Sequence, residues 1–463
     1  MKYAHPYCRL LGLGMMLGLF LASSAAFGGG LTPDQEQALR AIARGQTFTW
    51  PEMTPGQASE LCDKAERYLE HYEKYNLPQG YNADLWWVDP ARSRAHMYDG
   101  IGDSATWTGH YLAALVIKCS VTGDASLRDR ILWTLEKFDL LTRVSGRVGY
   151  VARYAGDADD PAYREYYRVY GRGESPERPG LGKKAFWGVA PYEKMVWLGD
   201  SSRDTYDGTA MGLAATLAYA KDAEIRRRAK QLVECIGDRL IADEWRIVDG
   251  QGNSTQATST FKLEWMRLIL SANPKKYKAL RSDYKAAMSA YTGDGPRIRS
   301  KDADEYFPAN LDFIRLFVLN ELEEKAAWSK KFKSALTHAY LDKASDHLNG
   351  YFAAIYILGT GDKKNANARA TLQGTLLDFP APPKFLRVVD VRNDPSIEQK
   401  NEKYTLYALL PRERTVSDFI WQRPPCLSHA GDERAIEFPG IDLFLPYWMG
   451  RLSGAIPAPP GKS

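Results

Sequence analysis

Hydrophobic residues recur every three or four positions over long stretches of the chain, which is the period of a helix face. Between residues 127 and 138 the apolar positions are Leu127, Ile131, Leu135 and Phe138, with charged residues between them. The segment EIRRRAKQLVECIGDRL has the same period at Ile225, Ala229, Leu232, Val233, Ile236 and Leu240. Both segments are predicted to form amphipathic helices with one face in water.

A second group of segments is apolar on nearly every side. GHYLAALVIKCSV and GTAMGLAATLAYA are the clearest examples, and LDFIRLFVLNEL, GYFAAIYILGTG and FKLEWMRLILSA are similar. A helix without a polar face has to be surrounded by other elements. The alternation of the two kinds of segment therefore predicts helical hairpins arranged in two concentric layers.

This pattern resembles the (α/α) toroid, often of six hairpins, found in many glycoside hydrolases, polysaccharide lyases and sugar epimerases. The resemblance is one of architecture and covers most of residues 100–450. It implies an all-α fold with one domain over residues 29–454, long loops, and a few short strands near the C-terminus. FLRVVDV and KYTLYALL are the candidate strands, GIDLFLPYWMGRL is expected to be a last helix or an extended packing segment, and residues 455–463 are expected to be a disordered tail.

The first 28 residues have the pattern of a secretory signal peptide. Lys2 and Arg9 are followed by the apolar run LLGLGMMLGLFLA and by the small residues SSAAFGGG. No later stretch approaches eighteen consecutive apolar residues. The sequence therefore predicts a secreted or periplasmic protein without a membrane anchor.

Charge and cysteine content narrow the possible partners. Without the two signal-peptide cations, the formal net charge of +4 falls close to balance and no long basic run remains, so nucleic acid is not an expected partner. Cys62, Cys119, Cys235 and Cys426 remain after the signal peptide. Four cysteines in an exported protein permit two disulfides in three pairings, or buried free thiols, and their spacing matches no zinc site.

Polar, turn-rich stretches precede the apolar segments, and they carry the candidate chemistry. If the apolar helices are parallel, their N-termini meet at one end of the fold, where unpaired N–H groups favour carboxylates. The acidic residues in these stretches are Asp99, Asp103, Asp200, Asp204, Asp207, Asp302, Asp304, Glu305 and Asp346. The pattern therefore predicts an acidic funnel at that end.

Carboxylates beside aromatic rings suit the cleavage of glycosidic bonds. That reaction uses one carboxylic acid to protonate the leaving oxygen and one carboxylate as base or nucleophile. Asp103 and Asp204 are the favoured pair, because DSATWTG and DTYDG share an order of hydroxyl, aromatic and glycine residues. Asp99 and Asp207 are the further catalytic candidates. The main hypothesis is a glycoside hydrolase that acts on a polysaccharide or oligosaccharide and needs no cofactor.

Seven other residues are predicted to bind the glycan: Trp107, His110, Arg203, Tyr206, Tyr306, His347 and Asn349. Arg203 has the geometry to hold a substrate carboxylate in a bidentate contact, or else to pair with Asp200 or Asp207. Toroidal lyases acting on uronates combine Tyr, His, Asn and Arg, so a polysaccharide lyase or epimerase is the second hypothesis. A glycan-binding or assembly protein without catalysis is the third.

Each of these residues also has a purely structural interpretation. Asp and Ser before a helix are preferred N-caps, each worth about 1 kcal/mol, and glycines such as Gly109 and Gly208 allow close helix packing. A calcium site at Asp200, Ser202, Asp204 and Asp207, or a transition-metal site at His96, His110, His347 and Asp99, has weak support from spacing. No metal is expected.

Overall fold

Fourteen α-helices carry most of the regular structure in the computed structural model, which describes residues 30–170, 185–250, 252–292, 300–303, 305–415, 423–431 and 433–461. They are α1 (Pro33–Ala43), α2 (Pro55–Tyr75), α3 (Ser104–Thr122), α4 (Leu127–Leu141), α5 (Pro161–Tyr170), α6 (Arg203–Tyr219), α7 (Ala223–Ala242), α8 (Ser259–Ala272), α9 (Leu280–Ala290), α10 (Phe307–Leu322), α11 (Ala326–Thr337), α12 (Gly350–Thr360), α13 (Ala366–Leu377) and α14 (Ile441–Ser453). The predicted signal peptide and Asp304 lie outside the described residues.

Short strands lie between the helices and form four antiparallel sheets in the described ranges. They are β1 (Asp84–Trp87), β2 (Ala95–Asp99), β3 (Tyr154–Asp157), β4 (Ala185–Trp187), β5 (Met195–Leu198), β6 (Arg246–Val248), β7 (Ser254–Gln256), β8 (Lys384–Phe385), β9 (Val389–Asp390), β10 (His429–Ala430) and β11 (Ile436–Phe438). The largest sheet has the order β2-β1-β11-β8, a second has the order β3-β5-β4, and β6–β7 and β9–β10 are pairs.

The expectation of an all-α fold is wrong. About 54% of the described residues are helical, and the strands begin at β1 rather than near the C-terminus, so the fold is mixed and an all-α toroid is not what the structure shows. The strands are only two to five residues long, too short for a period of two to stand out among turn residues. The main sheet also pairs residues distant in sequence, such as Leu85 with Glu437.

The predicted helices themselves are present. α7 buries Ile225, Ala229, Leu232, Val233, Ile236 and Leu240, which is the apolar face read from its sequence. The apolar segments form α3, α6, α8, α10 and α12, and GIDLFLPYWMGRL forms α14. α3 packs against α6 and α14, α6 against α10, and α12 against α10, α13 and α14. These contacts surround each apolar helix with other elements, as its composition requires.

Glycines let α3 and α6 approach until their backbones touch. A Cβ on Gly109 would overlap the carbonyl oxygen of Gly208, and one on Gly212 would lie 2.6 Å from the carbonyl oxygen of Gly109. Near this crossing, Thr106 Oγ1 donates to the backbone oxygen of Asp204 at 3.0 Å. The close crossing therefore fixes the first turn of α3 against the first turn of α6.

Two further expectations from the sequence concern the C-terminal tail and the four cysteines. Ala455 and Ile456, at the start of the tail expected to be disordered, are buried, and Gln373 Nε2 donates to the backbone oxygen of Ala455 at 2.6 Å. Cys62, Cys119, Cys235 and Cys426 are all free thiols, so the permitted disulfides are not formed. Among the described residues, none of the helices combines the length and the apolar character that crossing a membrane requires.

Candidate functional site

Asp103 stands at the N-terminus of α3 but does not cap it, because its side chain makes no capping hydrogen bond. The side chain is 43% exposed, and its Oδ1 lies 3.2 Å from Arg153 Nη1. Arg153 is buried just before β3, where Nη1 also donates to Gly102 O at 2.7 Å and Nε to Asp200 O at 2.8 Å. A rigidly held guanidinium therefore fixes one face of an accessible carboxylate.

Asp204 lies in the first turn of α6 and makes no side-chain capping bond either, since Ser202 holds the N-cap position. Burial raises the pKa of Asp204, and the charge of Asp103 raises it further, whereas Arg153 and Arg315 act in the opposite direction. The first turns of α3 and α6 lie against each other, since Thr106 Oγ1 donates to Asp204 O. The structure thus places the two aspartates favoured by the sequence analysis at the starts of two contacting helices, where the charge of Asp103 acts on Asp204.

Asp207 lies one turn further along α6 and has no exposed surface. Arg315 on α10 donates to it through Nη2 at 2.6 Å. Glu264 on α8 is also completely buried, and its carboxyl group interacts with that of Asp207. Burial raises the pKa of both carboxyl groups, and Arg315 opposes this. Because Asp207 is enclosed, it does not reach a substrate in this structure.

Asp99, the fourth catalytic candidate, ends β2. Its Oδ1 accepts from the backbone N–H of Gly100 at 2.8 Å, and Gly100 has a φ of +65°. This is a local bond that stabilises the turn leading into α3. Asp99 therefore has the structural role that the sequence analysis held open for it.

Six of the seven predicted glycan-binding residues are buried: Trp107, His110, Tyr206, Tyr306, His347 and Asn349. His110 Nδ1 contacts Thr106 O, and its Nε2 contacts the hydroxyl of Tyr351. The hydroxyl of Tyr206 accepts from Val151 N–H, and Asn349 caps α12 by accepting from Phe352 N–H. These side chains hold the interior together and present no surface to a ligand in this structure.

Arg203 is the exception, because it is partly exposed beside Asp204. Its Nη1 donates to Gln256 O at 3.4 Å, and the described residues show no ion pair between it and Asp200 or Asp207.

The rest of the expected acidic funnel is partly neutralised by lysines. Lys301 pairs with Asp346 at 2.6 Å, and Lys400 pairs with Asp302.

The described side chains include no group of three or more His, Cys, Asp or Glu residues suited to a metal ion. His347, one of the histidines considered for such a site, instead contacts the hydroxyl of Tyr306 through Nδ1 at 2.8 Å.

Sequence reasoning missed Arg153, Glu264 and Arg315. Glu264 and Arg315 did carry a signal, since each is a charged residue inside a largely apolar helix. A buried charge requires a partner, so both residues could have been expected to meet charged groups of neighbouring helices. Arg153 follows a turn in the stretch GYVARYAG and carries no comparable signal.

A cavity of about 240 Å³ lies on the β3-β5-β4 sheet. Its lining includes Tyr163, Phe186, Trp187 and Val196. Trp187 is 66% exposed to solvent. Two contacts link the sheet to the aspartate pair. Phe186 on β4 lies against Gly199. The next residue, Asp200, accepts through its carbonyl oxygen a hydrogen bond from Arg153. An apolar aromatic surface thus lies on the sheet that precedes Asp200, which contacts Arg153, the partner of Asp103.

The burial of His110 has a measurable consequence for stability. Burial lowers its pKa to about 4, so the unfolded chain takes up a proton more readily than the folded one. Stability is then lost as pH falls from the ordinary histidine pKa through about 4, by on the order of 3 kcal/mol for this group. Urea unfolding of the wild type and of His110→Gln across this range should give a flatter pH dependence for the variant. Exposed His429→Gln is the control, and equal slopes for His110→Gln and the wild type would contradict the expectation.

The chain matches no protein-family model, no curated protein and no solved structure. The chemistry of the site therefore has to carry the assignment of function, without support from relatives.

Proposed function

We propose that the protein is an exported glycoside hydrolase in which Asp204 is the general acid and Asp103 is the base or nucleophile. The observation that carries the proposal is the pair itself. One carboxylate is accessible and held by Arg153, and its more enclosed neighbour has a raised pKa. A carboxyl group of raised pKa beside an accessible carboxylate is the usual acid–base arrangement of glycosidases.

The reaction assigns one role to each group. The proton of Asp204 moves to the glycosidic oxygen as the C–O bond breaks, and positive charge develops at the anomeric carbon. Asp103 stabilises that charge and either takes a proton from the attacking water or attacks the carbon itself. Arg153 keeps Asp103 in place through its contacts with Gly102 and Asp200. The protein thereby presents both groups without the reorganisation that would cost rate.

The aromatic cavity provides the substrate-binding part of the proposal. The ring of Trp187 exposes an apolar face of the kind that packs on the C–H face of a pyranose, and the sheet connects it to the catalytic pair. Replacing Trp187 with Ala is expected to weaken glycan binding about two- to tenfold, because an aromatic contact contributes about 0.5–1.5 kcal/mol beyond its area. The test is calorimetric titration with the preferred glycan. Leu406→Ala, another exposed apolar residue, is the control, and equal affinities of Trp187→Ala and the wild type would contradict this role.

The lyase hypothesis has less support from the geometry. It relies on Tyr206 and His347 for proton transfer, yet both side chains are buried. Burial raises the pKa of Tyr206 well above its ordinary value and lowers that of His347 to about 4. A polymer could reach neither side chain without opening the interior.

A panel of neutral and acidic glycans tests the function directly. The proposal predicts new reducing ends without the ultraviolet absorbance of an unsaturated uronate. Products with that absorbance would favour the lyase, and binding without turnover across the panel would favour a glycan-binding protein. Either of these outcomes would overturn the hydrolase assignment.

A further inference from the structure

Three helices bring two carboxyl groups and one guanidinium together inside the protein. Asp207 comes from α6, Glu264 from α8 and Arg315 from α10, and all three are buried. Arg315 uses Nη2 for Asp207 and Nη1 for Asp312, which lies 3.1 Å away at the edge of the cluster. One guanidinium therefore faces more carboxyl groups than it can neutralise, and an unpaired buried carboxylate is strongly disfavoured.

The oxygens that lack a hydrogen-bond donor show which carboxyl groups Arg315 leaves unneutralised. Oδ1 of Asp207 and both carboxyl oxygens of Glu264 receive no N–H or O–H from another described residue. The two carboxyl groups act on each other's pKa, which makes them neighbours inside the protein. Two neighbouring ionised carboxylates repel each other, whereas a single proton shared between them gives each group a hydrogen-bond partner.

We propose that Asp207 and Glu264 share one proton and, together with Arg315, act as positioning residues that set the electrostatic environment of Asp204. The inference rests on the proposed function, since it concerns the group assigned there as general acid. None of the three touches a substrate. They act through Asp204, which lies three residues before Asp207 on the same side of α6.

The charges around Asp204 explain why the shared proton matters. The charges of Asp103, Arg153 and Arg315 act on the pKa of Asp204, and the charge of Asp204 in turn raises the pKa of Asp207. While Glu264 holds the proton, Asp207 and Arg315 balance each other. If Glu264 were ionised, a second negative charge would act on Asp204, and the pKa of Asp204 would rise further. Burial raises the pKa of Glu264 and Asp207, which agrees with a retained proton.

Infrared spectroscopy tests the shared proton without any substrate. Near neutral pH the difference spectrum of the wild type minus Glu264→Gln should contain the C=O absorption of a buried protonated carboxyl group, and Asp204→Asn should retain this band. Glu321, whose pKa burial raises to about 7, contributes equally to both spectra and cancels in the difference. If Glu264→Gln does not fold, Asp207→Asn is the second variant. Glu264 then takes the place of Asp207 beside Arg315 and gives up its proton, so the absorption is again lost. Persistence of the absorption in the variant, or its absence from the wild type, would overturn the proposal.

A titration of Asp204 tests the positioning role. In protein labelled with ¹³C at the aspartate carboxyl groups, Glu264→Gln should leave the pKa of Asp204 unchanged, because glutamine keeps a neutral donor beside Asp207. The double variant Asp207→Asn, Glu264→Gln removes the negative charge that offsets Arg315. The positive charge of Arg315 should then lower the pKa of Asp204 by about 1 unit. Equal pKa values in the single and double variants would mean that the cluster only supports the fold, which contradicts the positioning role.

These outcomes separate the inference from the proposed function. If no glycan is cleaved while the absorption and the titration behave as described, the hydrolase assignment fails and the shared proton stands. If glycans are cleaved but the absorption survives in Glu264→Gln, the assignment stands and the shared proton is refuted.

Discussion

Replacing Asp204 with Asn is expected to lower glycan turnover by at least about 100-fold, because a general acid contributes about 10²–10⁴-fold to such reactions. The amide has nearly the shape of the acid but no proton to deliver to the leaving oxygen. Fold stability should be retained. Burial disfavours the charged form of Asp204, as its raised pKa shows, so a neutral side chain fits the same position. Turnover of the preferred glycan and the thermal midpoint, measured on the same preparation, check both statements.

Two comparisons make this result decisive. Asp103→Asn should cause a similar loss of turnover, and Arg153 still has the carbonyl oxygens of Gly102 and Asp200 as partners in that variant. Asp129→Asn, at a side chain that is 93% exposed, should leave turnover unchanged. If Asp103→Asn and Asp204→Asn unfold instead of losing activity, their roles are structural and the catalytic assignment is wrong.

Substituting alanine for Gly208 is expected to cost more than about 3 kcal/mol, at the upper end of what overpacking costs. The added Cβ would overlap the backbone of Thr106 on α3, and a backbone has no rotamer with which to move aside. The helices would have to separate, which also breaks the bond from Thr106 Oγ1 to Asp204 O. Urea unfolding measures the loss. Activity at a temperature where the variant is still folded should fall as well, because the crossing sets the position of Asp204.

The matched control for this substitution is Gly250→Ala. Gly250 has open space around its Cβ position and no left-handed backbone, so its replacement should change the free energy of unfolding by less than about 1 kcal/mol. A Gly208→Ala variant as stable as Gly250→Ala would show that α3 and α6 do not cross as closely as described.

The sequence predicted the helices well because each is long enough for its period to be unambiguous. The buried face of α7 and the all-round burial of α3 follow directly from where their apolar residues fall. The sheets could not be predicted in the same way. Their strands are short, and their pairing is tertiary, as with Leu85 and Glu437, which no local pattern encodes.

The candidate site was predicted in part. Asp103 and Asp204 were chosen from the residues that precede two apolar helices, and their electrostatic coupling is consistent with that choice. The aromatic and histidine residues were assigned to substrate because they fall in the same stretches, yet their side chains pack inward. Period alone does not show which side of a helix start faces a cleft. The exposed aromatic ring of the candidate site belongs to Trp187, which lies on a three-residue strand that no pattern identified.

The most direct test of the central claim is the titration of Asp204 in the wild type and in Asp103→Asn, followed by ¹³C signals of labelled aspartate carboxyl groups. An acid–base pair predicts a pKa of Asp204 above its ordinary value in the wild type, and a lower one once the charge of Asp103 is removed. An Asp204 that titrates at the ordinary aspartate pKa, or that does not respond to the loss of Asp103, would contradict the account.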